Sequence, residues 1–278
     1  MNIVEEIKKK REFSGLPDSI VERVAEMSKG DVKESRALLR KYFGVFLTNK
    51  ILKGKISADE MLVAHMSSKK RDYEKFYEEI FLGIASKGVP SQIEKKDKLG
   101  QAIPPAQMAS ADADKVGKIG SVIDLGCGVN GFSYKYLRDV LGEIDYVGVE
   151  ATGQLVEYMN RYFKAEGFSA RAVVGDLFDI ESVLKILKKA RKDRVVFLFQ
   201  VVDALENLER DFSKRFILEV SKECEGIVLS LPTESLGGRK KFAVRRKWIM
   251  DFLESEFVIE KDFVMEGERI IFLTKKDI

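Results

Sequence analysis

Histidine is almost missing from this 278-residue chain: His65 is the one example, and the cysteines number two, Cys127 and Cys224. So few soft donors argue against a zinc or non-haem iron centre and leave no disulfide framework, although carboxylate-only binding of a hard cation stays open. No apolar run approaches the roughly 18 residues needed to cross a bilayer. The start, Met1-Asn2-Ile3-Val4-Glu5-Glu6, has neither the apolar middle nor the small-residue cleavage site of a secretory leader. The expectation is a cytoplasmic protein with no metal and no membrane contact. Asn and Gln together number ten against 33% charged residues, a balance that fits a thermophile. What is plentiful is core material: 45% of residues are hydrophobic, which excludes wholesale disorder. The length suits one large domain or two modest ones. Nothing in the composition calls for an oligomer, and a monomer is expected.

A formal charge of +3 says little, but its distribution says more. From Lys29 to Lys55 there are eight basic residues against two acidic ones, and from Gly237 to Lys247 six of eleven positions are basic. Lys33, Arg36 and Arg40 fall three and four residues apart, which puts them on one helical face. These three, with Arg239, Lys240, Lys241, Arg245 and Arg246, are the candidate contacts to a nucleic-acid backbone, where neutralised phosphates make binding steeply salt dependent. The bland alternative for the first run is a solvated helix face.

Residues 1 to about 87 read as helices. Ile3, Val4 and Ile7 open an amphipathic pattern. Pro17 and Asp18 start a second helix to Met27, and Asp31 starts a third to Leu47. A helix over about 69–85 places Tyr73, Phe76, Tyr77 and Phe81 on one face, as core residues. Residues 88–119 lose all periodicity in glycine, proline, alanine and serine. A domain boundary near residue 112 follows, dividing a helical RNA-binding domain with its linker (1–112) from a domain over 113–278. From residue 121 short β-branched runs alternate with helices. Strands are expected at 121–125, 145–149, 170–174, 195–200 and 226–231. The intervening helices are expected at 132–141, 152–166, 179–190 and 208–223. A helix at 245–254 and two late strands at about 256–264 and 268–274 complete the chain. This alternation predicts an α/β fold with a mostly parallel sheet covered on both faces, ending in an antiparallel pair.

The segment Val122-Ile123-Asp124-Leu125-Gly126-Cys127-Gly128-Val129-Asn130-Gly131 carries the chemistry. A strand runs into a glycine bend and then a helix, so the backbone can approach a ligand closely. Glu150 ends the next strand, where it can bond both hydroxyls of a ribose. Gly126, Gly128 and Gly131 also satisfy the dinucleotide pattern, which keeps NAD as a rival. Two details favour S-adenosylmethionine (SAM). Asp124 stands two positions before the first glycine, suited to a cationic aminoacyl group and poorly suited to a pyrophosphate. Asp176, after the third strand, can bond an adenine amino group.

Segment 121–176 resembles class I SAM-dependent methyltransferases with a Rossmann-like sheet of seven strands. More narrowly, the chain is similar to the small-subunit (16S) rRNA guanine-N7 methyltransferases that confer aminoglycoside resistance. Three stretches carry the likeness. Leu38-Leu39-Arg40-Lys41-Tyr42-Phe43-Gly44-Val45-Phe46-Leu47 resembles an N-terminal helix of that family. His65-Met66-Ser67-Ser68-Lys69-Lys70-Arg71 resembles its His-x-Ser-Thr-x-x-Arg box. Ser230-Leu231-Pro232-Thr233-Glu234-Ser235-Leu236-Gly237-Gly238-Arg239 resembles its segment after the fifth strand. The resemblance implies a helical front domain that docks on the small ribosomal subunit. It also implies SAM contacts at Asp124, Gly126, Cys127 and Gly128 (methionine part), Glu150 and Ala151 (ribose), and Asp176 and Leu177 (adenine). Arg71 becomes a candidate for the SAM carboxylate or for RNA phosphate. The chain departs from the family at Gln200, where a lysine is usual, and in the length of its linker.

The type of methylation is narrowed by elimination. Gln200-Val201-Val202-Asp203 is not the Asn/Asp-Pro-Pro-aromatic segment of amino-group enzymes. A cytosine-C5 nucleophile is needed after the fourth or fifth strand, whereas Cys127 lies in the glycine turn and Cys224 in a helix before the fifth strand, so neither fits. Guanine N7 exposes its lone pair and needs no base, so positioning alone can drive transfer. The expectation is a two-domain enzyme for rRNA methylation, acting on guanine N7 near the decoding site. Gln200 and Pro232 edge its base pocket as catalytic candidates, and Gln200 also borders the cofactor. The alternatives are a methyltransferase of a small molecule or protein, and a SAM-binding ribosome assembly factor without transfer activity.

Overall fold

A computed structural model describes residues 2–43, 57–64, 70–81, 119–233 and 246–276. Seven strands form one sheet: β1 (Ser121–Leu125), β2 (Asp145–Glu150), β3 (Ala170–Val174), β4 (Arg194–Phe199), β5 (Gly226–Pro232), β6 (Phe257–Met265) and β7 (Glu268–Lys275). Their order is β3-β2-β1-β4-β5-β7-β6. The first five pair in parallel, and β7 inserts antiparallel between β5 and β6. Every residue of β1 is buried, as a central strand covered on both faces requires.

Alternation along the strands sorts side chains between two cores. Val195, Phe197 and Phe199 enter one, and Val196 and Leu198 the other. The first core holds α4 (Ala58–Ala64), α5 (Tyr73–Phe81), α6 (Tyr134–Leu141) and α7 (Gly153–Ala165). The second holds α8 (Ile180–Lys189), α9 (Val201–Leu208), α10 (Phe212–Ser221) and α11 (Lys247–Glu256). Tyr77 of α5 stacks on Phe197 at 6.2 Å, and Phe76 meets Phe199 edge-on at 5.3 Å, so this aromatic face is sheet core. The expected boundary near 112, most of the 88–119 connection, residues 50–55 and His65 lie outside the described residues. Within them, α4 and α5 belong to the core of the sheet rather than to that of the preceding helices.

Helices α1 (Ile3–Lys8), α2 (Asp18–Met27) and α3 (Val32–Phe43) share a separate cluster around Ile7, Phe13, Val21, Val24 and Leu39. Asn2 caps α1 by accepting the Val4 N–H at 3.0 Å. Arg36 does not point outward with its stripe: its guanidinium donates to the carbonyls of Glu6 and Ile7, and its side chain is 18% exposed. It ties α3 to α1. Arg40 pairs with Glu12 while remaining half exposed, and Lys33 is exposed.

The other departures follow from two left-handed residues. Gln200 (φ 58°) ends β4 and starts α9, a helix absent from the sequence expectation; Asp211 (φ 60°) starts α10, where one helix over 208–223 was expected. Positive φ at a non-glycine residue has no strong sequence signature. Among the described residues no helix is long and apolar enough to cross a membrane.

Candidate functional site

The carboxyl ends of β1, β2, β3 and β4 bring together Asp124, Gly126, Gly128, Glu150, Asp176, Leu177 and Gln200, on the edge where open α/β sheets bind ligands. The bend after β1 is built by left-handed glycines, Gly126 at φ +70° and Gly128 at φ +51°. Gly126 is also required sterically: an added Cβ would stand 2.9 Å from Val201 Cγ2 and 3.4 Å from Leu177 Cδ1. Gly131 serves packing, since a Cβ there would meet Met159 Sδ at 2.5 Å. The Cys127 thiol turns inward against Gly148, burial pushes its pKa well up, and its N–H and carbonyl bond Val149 and Asn130. Its part in the site is to shape the bend.

Asp124 is wholly buried. Its Oδ2 accepts Asn130 Nδ2 at 2.7 Å and the Tyr146 hydroxyl at 2.8 Å. Its Oδ1 has no partner. Burial drives its pKa up to about 6 despite those donors. A buried carboxylate oxygen without a donor is rare, and a cationic donor is the group that would satisfy it. Glu150 spans the next turn: Oε2 accepts Gly128 N–H at 3.1 Å and Oε1 accepts Thr152 N–H at 2.9 Å, while burial raises its pKa. Asp176 accepts Phe178 N–H at 2.9 Å and the Ser19 hydroxyl at 2.7 Å. Ala151, the residue after Glu150, packs against the α1–α3 cluster.

A second buried network lies beside the bend. Arg71 makes a two-pronged pair with Glu268, 2.7 Å on each prong, with both side chains 5% exposed. Its Nη1 also donates to Asn130 Oδ1 at 3.3 Å, and its guanidinium lies over Phe76 and Phe199. Burial pushes the Glu268 carboxyl up, but the charge of Arg71 and donors from Arg71, Ser230 and Gln200 hold it below its ordinary value. The Arg71 guanidinium, expected at the SAM carboxylate or at RNA phosphate, is thus enclosed by Glu268, Asn130 and two aromatic rings. Asn130 links it to Asp124, donating to Asp124 Oδ2 at 2.7 Å.

Gln200 and Pro232 both lie near this network: Gln200 helps hold the Glu268 carboxyl down, and Pro232 faces Glu268 in the β5–β7 register. Arg246 pairs with Asp203 at 2.6 Å and its side chain is 14% exposed, so it anchors α11 to α9 instead of presenting a free phosphate contact. Arg239, Lys240, Lys241 and Arg245 lie outside the described residues. Sequence reasoning missed Glu268, Asn130, Tyr146 and Ser19. Asn130 alone had a signal, its place inside the glycine segment.

No family model matches the sequence, and no curated protein matches it either. Solved structures do. The 16S rRNA methylase RmtB superposes with a TM-score of 0.65 at 17% identity, over 99% of this chain and 99% of that one. The 16S rRNA methyltransferase RmtF, solved with S-adenosyl-L-homocysteine, gives 0.65 at 15% identity over 99% and 97%. An rRNA methylase from Escherichia coli gives 0.62 at 16% identity over 99% and 98%. The glycine bend, the strand-end carboxylates, the reversed seventh strand and this full-length likeness together give the chain the class I SAM-dependent methyltransferase fold, in the form carried by 16S rRNA methylases with helices ahead of the sheet.

Proposed function

We propose that the protein is a SAM-dependent rRNA methyltransferase that modifies guanine N7 in 16S rRNA of the small subunit, near the decoding site. The observation that carries the cofactor assignment is the open, buried Oδ1 of Asp124 beside the Gly126–Gly128 bend. A pyrophosphate would be repelled there, whereas the ammonium of an aminoacyl group would be held. Glu150 would hold the ribose and Asp176 with Leu177 the adenine. When bound, SAM supplies an electrophilic methyl group on a sulfonium.

The chain's own residues supply position. Gln200, its backbone held by an N–H donated to Ser230 O at 3.1 Å, stands at the end of β4 with Pro232 at the end of β5. Together they border the space where a flat base would be held in line with the methyl group. No described residue needs to remove a proton for N7, whose lone pair is already free. The RNA assignment is supported by likeness along the whole chain to proteins described as 16S rRNA methylases, and by exposed charge on the front helices such as Lys33.

Tritiated methyl transfer from labelled SAM into intact small subunits lacking the modification, followed by mass-spectrometric mapping, tests the reading. A label on a guanine N7 of the small-subunit RNA is expected. Label on another molecule would move the substrate assignment, and SAH binding without transfer would point to an assembly factor.

A further inference from the structure

The front helices sit directly on the nucleoside end of the candidate site. The Ser19 hydroxyl, in the first turn of α2, donates to Asp176 Oδ2 at 2.7 Å while Phe178 N–H donates to Oδ1 at 2.9 Å. Two donors from distant parts of the chain thus fix this carboxylate in one orientation. The Arg23 guanidinium lies 4.1 Å over the Phe178 ring. Gly153 N–H donates to Gly15 O at 3.0 Å, and a Cβ on Gly153 would stand 2.8 Å from that oxygen. Gln154 Nε2 donates to Arg11 O at 3.2 Å and to Ser14 Oγ at 3.1 Å. The turns bearing Glu150 and Asp176 are therefore both clasped by the segment from Arg11 to Arg23.

We propose that Ser19 is a positioning residue of the adenosine site: it aims Asp176, and through it nucleoside binding and the seating of α2 reinforce each other. This rests on the reading of Asp176 as the adenine-facing carboxylate. A carboxylate offers about four lone-pair positions. Ser19 and Phe178 take one on each oxygen, so one on each stays open for an amino group. Asp176 is 9% exposed and Ser19 is exposed beside it, which places the pair at the mouth of the site. Coupling of this kind is reciprocal: a ligand that favours the seated helix must bind more tightly to the protein whose helix is seated. The cofactor would then set the position of the basic front helices before RNA arrives.

Titration calorimetry with S-adenosyl-L-homocysteine (SAH) on the wild type, Ser19→Ala and Ser19→Thr, joined to hydrogen exchange, tests this. Ser19→Ala should bind about tenfold more weakly, as expected for a lost hydrogen bond to a charged group, and Ser19→Thr should stay within about twofold. SAH should slow exchange across α2 as well as across 175–179 in the wild type. Equal affinity of Ser19→Ala with α2 unresponsive to SAH overturns the proposal and leaves the cofactor reading standing. Equal weakening of both variants also overturns it, as a packing effect. Absence of SAH binding by the wild type overturns the cofactor reading and this proposal together.

Discussion

Replacing Asp124 with asparagine separates what the buried carboxylate does for a ligand from what it costs the fold. Burial raises its pKa from 3.8 to about 6, against the donors Asn130 and Tyr146. At 1.36 kcal/mol per pH unit that rise is worth roughly 3 kcal/mol. Between pH 3.8 and about 6 the folded chain holds a proton that the unfolded chain has released. The contribution of this group to stability therefore falls as pH climbs through that window, and the full penalty stands above it. Asparagine carries no charge and keeps one oxygen for Asn130 and Tyr146. It places an amide N–H at the open Oδ1 position, where an unpartnered buried donor costs roughly 1–3 kcal/mol. The net at pH 8 is a gain of about 1 kcal/mol, or about 2 °C in Tm for a chain of this size. At pH 5, where the wild-type carboxyl is already largely protonated, the gain disappears. The ligand effect runs the other way. SAH affinity should fall about thirtyfold for the lost charged contact. Affinity for 5′-methylthioadenosine, which has no aminoacyl group, should hold. Ligand-free thermal melts at the two pH values and calorimetry with the two ligands check both halves. A variant less stable at pH 8, or one that loses both ligands equally, would refute the reasoning.

Glu268→Ala should leave the Arg71 guanidinium buried without its partner and lower stability by roughly 3–5 kcal/mol, read as a shift in denaturant midpoint. Gly126→Ala forces a side chain into φ +70° and into Val201; a strain of about 1–2 kcal/mol should accompany loss of SAH binding in calorimetry. Lys33→Ala and Arg36→Ala should part company. The first should leave the melting curve unchanged and reduce the salt slope of small-subunit binding by about one, while the second should loosen the α1–α3 cluster, seen as faster hydrogen exchange there.

The strands and the glycine bend were legible because their cause is local. The runs at 121–125 and 170–174 are β-branched, bounded by breakers, and observed at those limits. The α9 helix was not legible, because its start depends on a left-handed Gln200, which the Ser230 carbonyl holds in place. Arg36 shows a different limit: helical spacing tells which residues share a face but not what covers that face. Glu268 lies far from the bend in sequence. Its role exists only because β7 turns back between β5 and β6 and delivers its first residue to the carboxyl edge of the sheet. Ser19 meets Asp176 across 157 positions of chain, a contact that no periodicity announces.

A crystal structure of the SAH complex tests the central claim most directly. The account predicts density along the Gly126–Gly128 bend, with the ammonium at Asp124 Oδ1, the ribose at Glu150 and the adenine amino group at Asp176. SAH bound elsewhere, or an Asp124 Oδ1 that stays without a cationic partner in the filled site, would contradict it.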